Sequence, residues 1–261
     1  MLWAERFSVL FERELKMRIS YRMSLILGVT SSLSGLLVYG LLGNSASASI
    51  TSQSDNMSLA SYLVSGVAFS GIIMNGPAMF SQHASPSELE EVLVTPTGFR
   101  EFLLSSSALN TLTTIGGAAG FFLLGAFLLG LDYSYNPPLL VLMVLLGLLS
   151  SIGLGFMSLG LRLVYKQASL ISWIFFSLTG ILGNMIVPVQ ILPSFAQSIA
   201  YLTPQYYFFT GIRMALGSNT SSVVTVVILF GAYTLALLLV GLSALSYGMR
   251  FIRLNGTHRW V

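Results

Sequence analysis

The sequence predicts an all-α integral membrane protein with six transmembrane helices and both termini in the cytoplasm. Three observations predict it. The chain is 54% hydrophobic but only 8% charged, with mean hydropathy +0.82. A soluble domain carries roughly 25% charged residues, so these few cannot cover a water-facing surface. Six apolar stretches approach or exceed the ~20 residues that a membrane crossing needs. Finally, when the polar gaps are read as loops, eleven of the twelve Lys and Arg residues fall on one side. Cytoplasmic loops retain Lys and Arg, so an even number of spans with both ends inside follows. Only Arg213 is left for the outer face, where it is expected to act as a surface anchor with a modest role.

Residues 1–261 read as one membrane domain: a leading amphipathic segment 1–22, a six-helix region 24–247 and a cytoplasmic tail 248–261. In the leading segment, Trp3, Phe7, Leu10, Phe11, Leu15 and Ile19 share one half of a helical wheel. Glu5, Glu12, Arg13 and Lys16 share the other. Glu12 to Lys16 and Glu14 to Arg18 have the favourable i,i+4 polarity. This predicts an amphipathic helix that is either a generic interfacial anchor or one that also touches a cytoplasmic partner. No cleavable signal peptide is read in so charged a start.

The spans are expected at residues 24–42, 58–80, 102–129, 138–161, 169–188 and 222–247. None holds Asp, Glu, Lys, Arg or His, which argues against proton-coupled pumps and voltage sensors. Asn75, Gly76 and Pro77 predict a kink near the inner end of the second span, and Gly180, Gly183, Asn184 and Pro188 another in the fifth. Asn75 and Asn184 are candidates for a translocation path or for interhelical hydrogen bonds. Gly116 with Gly120, and Gly147, Ser151 and Gly155, are small residues at i+4 spacing that permit close helix packing. The first outer loop, 43–57, is rich in Ser, Ala and Asn and reads as flexible, without chemistry of its own.

The inner loop between the second and third spans carries the strongest local signal. Ser85 and Glu88 make a capping box, and Pro86 suits the first helical position. Leu89, Val92 and Leu93 then form an i, i+3, i+4 apolar stripe, with Glu88, Glu90 and Glu91 at the helix start. Thr95-Pro96 stops it. The short, acidic, amphipathic segment 86–94 facing the cytoplasm is a docking helix, or else a solvated or membrane-resting loop.

The outer segment 188–213 is too apolar for a water-exposed loop. A helix from Ser194 to Leu202 would be only about 13 Å long, far short of a crossing. Ser194 and Gln197 read as its capping box, with Pro193 before it. Pro204 breaks the run, and a second helix follows to about Leu216. Two short apolar helices predict a re-entrant hairpin, or else a segment lying on the outer surface, with Tyr206 and Tyr207 at the interface.

There is no GxxxxGK[ST], HExxH or GxSxG motif, no cysteine, and only two histidines. The reading is therefore no catalytic residue, no metal site, no cofactor bound by this chain and no nucleic-acid partner.

Together these features resemble the type-2 ABC transporter permeases. Glu90, Leu93, Thr95 and Pro96 fill the acidic, leucine and Thr-Pro places of that family's loop between spans two and three. Leu192-Pro193, Pro204 and Arg213 resemble its outer region. The resemblance implies a dimer, with a second identical or closely homologous permease and two separate ABC ATPase subunits. ATP and Mg would be bound on the ATPase partner. It makes 86–94 the coupling helix and 2–20 the connecting helix. It implies export of a lipid, lipid-linked glycan or drug across a plasma (inner) membrane. The uncharged spans agree with an amphiphilic cargo. A stand-alone carrier or enzyme, and a membrane scaffold, are the competing readings. The first would need intramembrane acids, bases or ligands, and the second would tolerate disruption of 86–94.

Overall fold

A computed structural model describes residues 3–50, 57–77, 79–80, 99–131, 133–165, 177, 179–218 and 222–255. Among them the chain is helical, without strands. The helices are α1 (Trp3–Ser20), α2 (Arg22–Ile50), α3 (Leu59–Met74), α4 (Phe99–Leu129), α5 (Pro137–Val164), α6 (Ser194–Ala200), α7 (Pro204–Ala215) and α8 (Val223–Asn255). A single 3₁₀ turn, Val189–Ile191, precedes α6.

Helices α2, α4, α5 and α8 are each long and apolar enough to cross a membrane. Helix α3 is apolar but has 16 residues, about 24 Å. The expected second span thus ends early, at Met74. Asn75 caps it, its N–H donating to the Gly71 carbonyl at 3.2 Å. Asn75, Gly76 and Pro77 form a turn after the helix rather than a kink within a longer one. Of the expected fifth span, residues 179–182 are helical and 183–187 bend, so the helix stops short of Pro188. Residue 177 is helical too, while 169–176 and 178 lie outside the described residues, as does the whole of 86–94 with Glu88, Leu89, Glu90, Glu91, Val92, Leu93, and also Thr95 and Pro96.

Two helices outrun their expected ends. Helix α2 continues through 43–50, into the stretch read as a flexible loop, where Ala46 and Ala48 favour helix. Helix α8 runs on to Asn255, so the expected tail begins as helix and carries Arg250 with it.

Local signals explain several boundaries. Ser58 Oγ accepts from the Ser61 N–H at 3.1 Å and starts α3. Asn136 Oδ1 accepts from the Leu139 N–H, and Pro137 opens α5. Pro204 opens α7. Tyr21 alone separates α1 from α2.

Helix α3 packs against α2, α4, α5 and α7, and α7 also packs against α5 and α8. The main core lies where these meet. Ile72, Ile73, Met143, Phe208, Phe209, Ile212 and Phe230 are buried there, with the Phe208 ring 5.1 Å from Phe209 and 5.8 Å from Phe230. A second cluster of Met79, Phe80, Leu159 and Leu163 surrounds the turn after α3, and Phe80 stacks on Phe156.

The most extensive packing is α5 on α8. Gly153 and Gly160 of α5 face Gly241, Ala244 and Gly248 of α8 so closely that backbone touches backbone. A Cβ on Gly248 would stand 2.6 Å from the Gly160 carbonyl oxygen. Ser150 and Thr234 bridge the same helices at 2.8 Å. Gly147 and Gly155 are also tightly covered, by Phe208 and Phe80. Gly116 and Gly120 are different: nothing lies within 4 Å of a Cβ at either. Their i+4 spacing therefore serves no close contact among the described residues.

Candidate functional site

Two polar residues that sequence analysis singled out, Asn184 and Arg213, meet at the hairpin α6–α7. Asn184 ends the helical residues 179–182 in the left-handed region, at φ 60°. Asn tolerates that region better than most side chains, and a break there turns the backbone out of the helix. The amide then joins three segments. Its Oδ1 accepts from the Tyr62 hydroxyl at 2.7 Å and from the Val189 N–H at 3.2 Å. Its Nδ2 donates to Thr210 Oγ1 at 3.2 Å. Helix α3, the 3₁₀ turn and α7 are thereby pinned to one residue.

Arg213 completes the knot. The guanidinium donates to the carbonyls of Asn184, Met185 and, at 3.4 Å, Tyr62. Its central carbon sits 3.4 Å from the centroid of the Tyr62 ring, a cation–π stack. The residue is 3% exposed. The expected role of Arg213 as a surface anchor is corrected: it is an internal strut. A broken helix leaves carbonyls without N–H partners, and buried carbonyls demand donors. Arg supplies several from one planar group.

Helix α7 is buried over its whole C-terminal half, Phe208 to Leu216. The capping box expected at Ser194 is absent. Pro193 stands at the N-cap, and Gln197 Nε2 donates backwards to the Gln190 and Leu192 carbonyls. Tyr207 donates to the Tyr201 carbonyl at 2.8 Å and stacks on Tyr233 of α8, with Tyr206 edge-on to both Tyr201 and Tyr207. Pro188 is buried where the chain enters the 3₁₀ turn.

Two participants were missed by sequence analysis. Tyr62 reads as one more aromatic residue in an apolar span. The loop 133–136 reads as a plain connection, yet Ser134 and Asn136 donate backbone N–H groups to Leu216 and Ala215, and Tyr133 donates to the Ser61 carbonyl. No spacing rule in one sequence pairs residues this far apart.

At the start of the chain, α1 packs against α4. Phe7, Leu10 and Phe11 are half-buried there, and Phe7 stacks on Phe11. Leu15 and Ile19 remain exposed, at 38% and 57%. Arg13 is exposed on the polar face, and Glu12 pairs with Lys16 at 2.6 Å. The hydrogen bond and charge of Lys16 hold the Glu12 carboxyl below its ordinary pKa. The side chain of Trp3 is outside the described ones.

Asn184→Ala should weaken the hairpin by about 2 kcal/mol, since it removes several hydrogen bonds worth about 1 kcal/mol each, some to buried partners. Thermal unfolding in detergent micelles would check this. An unchanged transition would show that the knot contributes nothing to stability.

A family model described as ABC-2 type transporter matches residues 5–217, from α1 through the hairpin. No curated relative matches the chain.

Proposed function

This chain belongs to the ABC-2 type transporter family, and we propose that it is the permease subunit of an ATP-driven exporter. Such a domain is the membrane component of transport and not the ATPase, and the family normally pairs with an ABC ATPase. The observation that carries the proposal is the extent of the match, which runs unbroken from the leading helix to the end of α7. In this reading two copies, or one copy and a close homologue, assemble with two ATPase subunits that bind ATP and Mg. The helix at 86–94 is the coupling element: its Leu89, Val92 and Leu93 stripe needs a partner surface, and Glu88, Glu90 and Glu91 suit a basic rim. Helix α1 lies beside it at the cytoplasmic surface of the plasma membrane.

The hairpin α6–α7 enters the outer leaflet in this reading. A helix buried over its whole C-terminal half, beside broken backbone whose carbonyls are met by Arg213, is tolerated at depth only inside protein. The sorting of basic residues supports six crossings with both termini inside. The cargo is amphiphilic, because the expected spans offer no charge for an ion to follow.

Affinity purification of the tagged chain from its native membrane, with mass spectrometry of what accompanies it, tests this directly. A stoichiometric ATPase is expected, and Leu93→Asp should remove it. Reversing Glu90 and Glu91 should uncouple ATP hydrolysis from transport while the chain still inserts. Normal transport by these variants would overturn the coupling assignment. A preparation free of ATPase, under conditions that preserve other ABC complexes, would overturn the permease reading.

A further inference from the structure

A groove of about 570 Å³ lies between α2, α3 and α4, and only one of its ends is closed. Helices α2 and α4 run side by side in the same direction: a Cβ on Gly35 would touch Phe121, and one on Gly40 would meet Leu129. At a rise of about 1.5 Å per residue, that register sets Asn110 level with the start of α2, near Arg22. Just beyond Gly35 the three helices close. A Cβ on Gly125 of α4 would stand 2.6 Å from Val64 of α3 and 3.5 Å from Leu36 of α2, and both of those side chains are buried. At the other end α3 stops at Met74, and the chain turns onto α5, where a Cβ on Gly76 would stand 2.7 Å from the Ser151 carbonyl oxygen. Among the described residues, nothing of α3 stands between α2 and α4 beyond Asn75. The groove is thus sealed at Leu36, Val64 and Gly125 and opens toward the level of Arg22.

The walls are polar although the helices are apolar. Ser31 and Ser32 of α2 both donate to the Gly28 carbonyl at 2.9 Å, and Ser70 of α3 donates to the Val67 carbonyl at 2.7 Å. Thr113 of α4 is bonded to the Leu109 and Asn110 carbonyls. A hydroxyl has one proton, so the serines turn lone pairs to the groove. Asn75 donates one amide proton to Thr114 Oγ1 at 3.4 Å, which leaves its second proton, its oxygen and the Thr114 proton. The Tyr39 hydroxyl and the Asn110 amide have no hydrogen-bond partner among the described residues. Donors and acceptors are therefore mixed along the whole length, with no Lys, Arg, Asp or Glu in the lining. Acyl chains would leave every one of these groups unmet, at the full cost of their desolvation. Water both donates and accepts, and at ~30 Å³ per molecule the groove has room for many.

We propose that the groove between α2, α3 and α4 is a water-filled cleft inside a single copy of the chain, open at the cytoplasmic interface and sealed toward the outer face. It gives water on the inner side a route to the middle of the membrane, and denies that route to the outer side. This deepens the exporter reading and rests on its orientation of the spans for which side the mouth faces; the hydration needs neither cargo nor ATPase.

The chain has no cysteine of its own, so single cysteines report without background. Ser31→Cys and Gly117→Cys place a thiol in the lining, and nothing lies within 4 Å of a Cβ at Gly117. Gly116→Cys is the control, equally open and at the same depth but outside the lining. Arg22→Cys marks the inner end of α2. The full chain, in inside-out and in right-side-out membrane vesicles, is treated with a charged methanethiosulfonate that does not cross lipid. Ser31→Cys and Gly117→Cys are expected to react about tenfold faster than Gly116→Cys, because the reactive thiolate forms in water and not in hydrocarbon. They should do so only from the face at which Arg22→Cys reacts. Equal rates at positions 116 and 117, or reaction of Ser31→Cys from the opposite face, overturn the proposal. Disulfide-linked dimers of Gly117→Cys under mild oxidation also overturn it, by showing a second copy seated in the groove. The two readings fail separately. Silent thiols at 31 and 117, with Arg22→Cys reacting from the cytoplasmic face, defeat the cleft alone. Reaction of Arg22→Cys from the outer face defeats the orientation of the spans, and the cytoplasmic mouth with it.

Discussion

Arg213→Leu is expected to destabilise the protein by on the order of 3 kcal/mol, with Arg213→Lys failing to restore it. The guanidinium donates to the Asn184, Met185 and Tyr62 carbonyls from a buried position. Leucine would fill much of the volume but leave those carbonyls short of donors, at roughly 1–3 kcal/mol for each that stays dry. Lysine would keep the charge but not the planar fork, so it could not bridge adjacent carbonyls while stacking on Tyr62. A surface anchor would behave differently, since lysine serves as well there. Thermal unfolding of the purified chain, read by intrinsic fluorescence, separates the two. Full stability in Arg213→Lys would mean that charge alone matters. Tyr62→Phe adds a graded comparison: it keeps the ring under the guanidinium but loses the 2.7 Å bond to Asn184, for an expected loss of about 1 kcal/mol.

Gly241→Leu should be at least as damaging. A Cβ at that position would overlap the Gly153 carbonyl, and one at Gly153 would stand 2.8 Å from the Leu237 carbonyl carbon. Overpacking a core with flexible neighbours costs roughly 1–3 kcal/mol. Here the obstacle is helix backbone, so the helices must separate along the whole seam and the Ser150–Thr234 bridge must break. We expect loss of monodisperse protein on gel filtration. Gly231→Leu is the control on the same helix, because nothing lies within 4 Å of a Cβ there. Equal recovery of both variants would mean that the close α5–α8 contact does not form.

These expectations show where a single sequence stops being informative. Glycine spacing identified Gly116–Gly120 and Gly147–Ser151–Gly155 as places where helices can approach. It did not distinguish the second set, which is covered by Phe208 and Phe80, from the first, which faces open space. Small size permits contact but does not name a partner. Asn184 was legible as a disruption because Gly183 and Pro188 flank it. Its role as a junction depends on Tyr62 and Thr210, which lie 122 and 26 residues away. For Arg213 the assignment inverted. Charge sorting counts a basic residue outside the cytoplasmic set as a residue in outer water, but a cation can instead sit inside when broken backbone supplies it with carbonyls.

The sequence by itself determined that this chain is helical and embedded in a membrane, that α5 and α7 begin near Pro137 and Pro204, and that α1 is amphipathic. Those properties are local: each depends on residues within one or two helical turns, on hydropathy, caps and proline. Only the tertiary structure decided that α3 ends at Met74, that α5 and α8 meet through glycine, that Arg213 is buried against Tyr62, and that a polar groove runs between α2, α3 and α4. Burial and hydrogen-bond satisfaction are settled by groups brought together from distant parts of the chain, and nothing in a residue's own neighbourhood encodes which groups those will be.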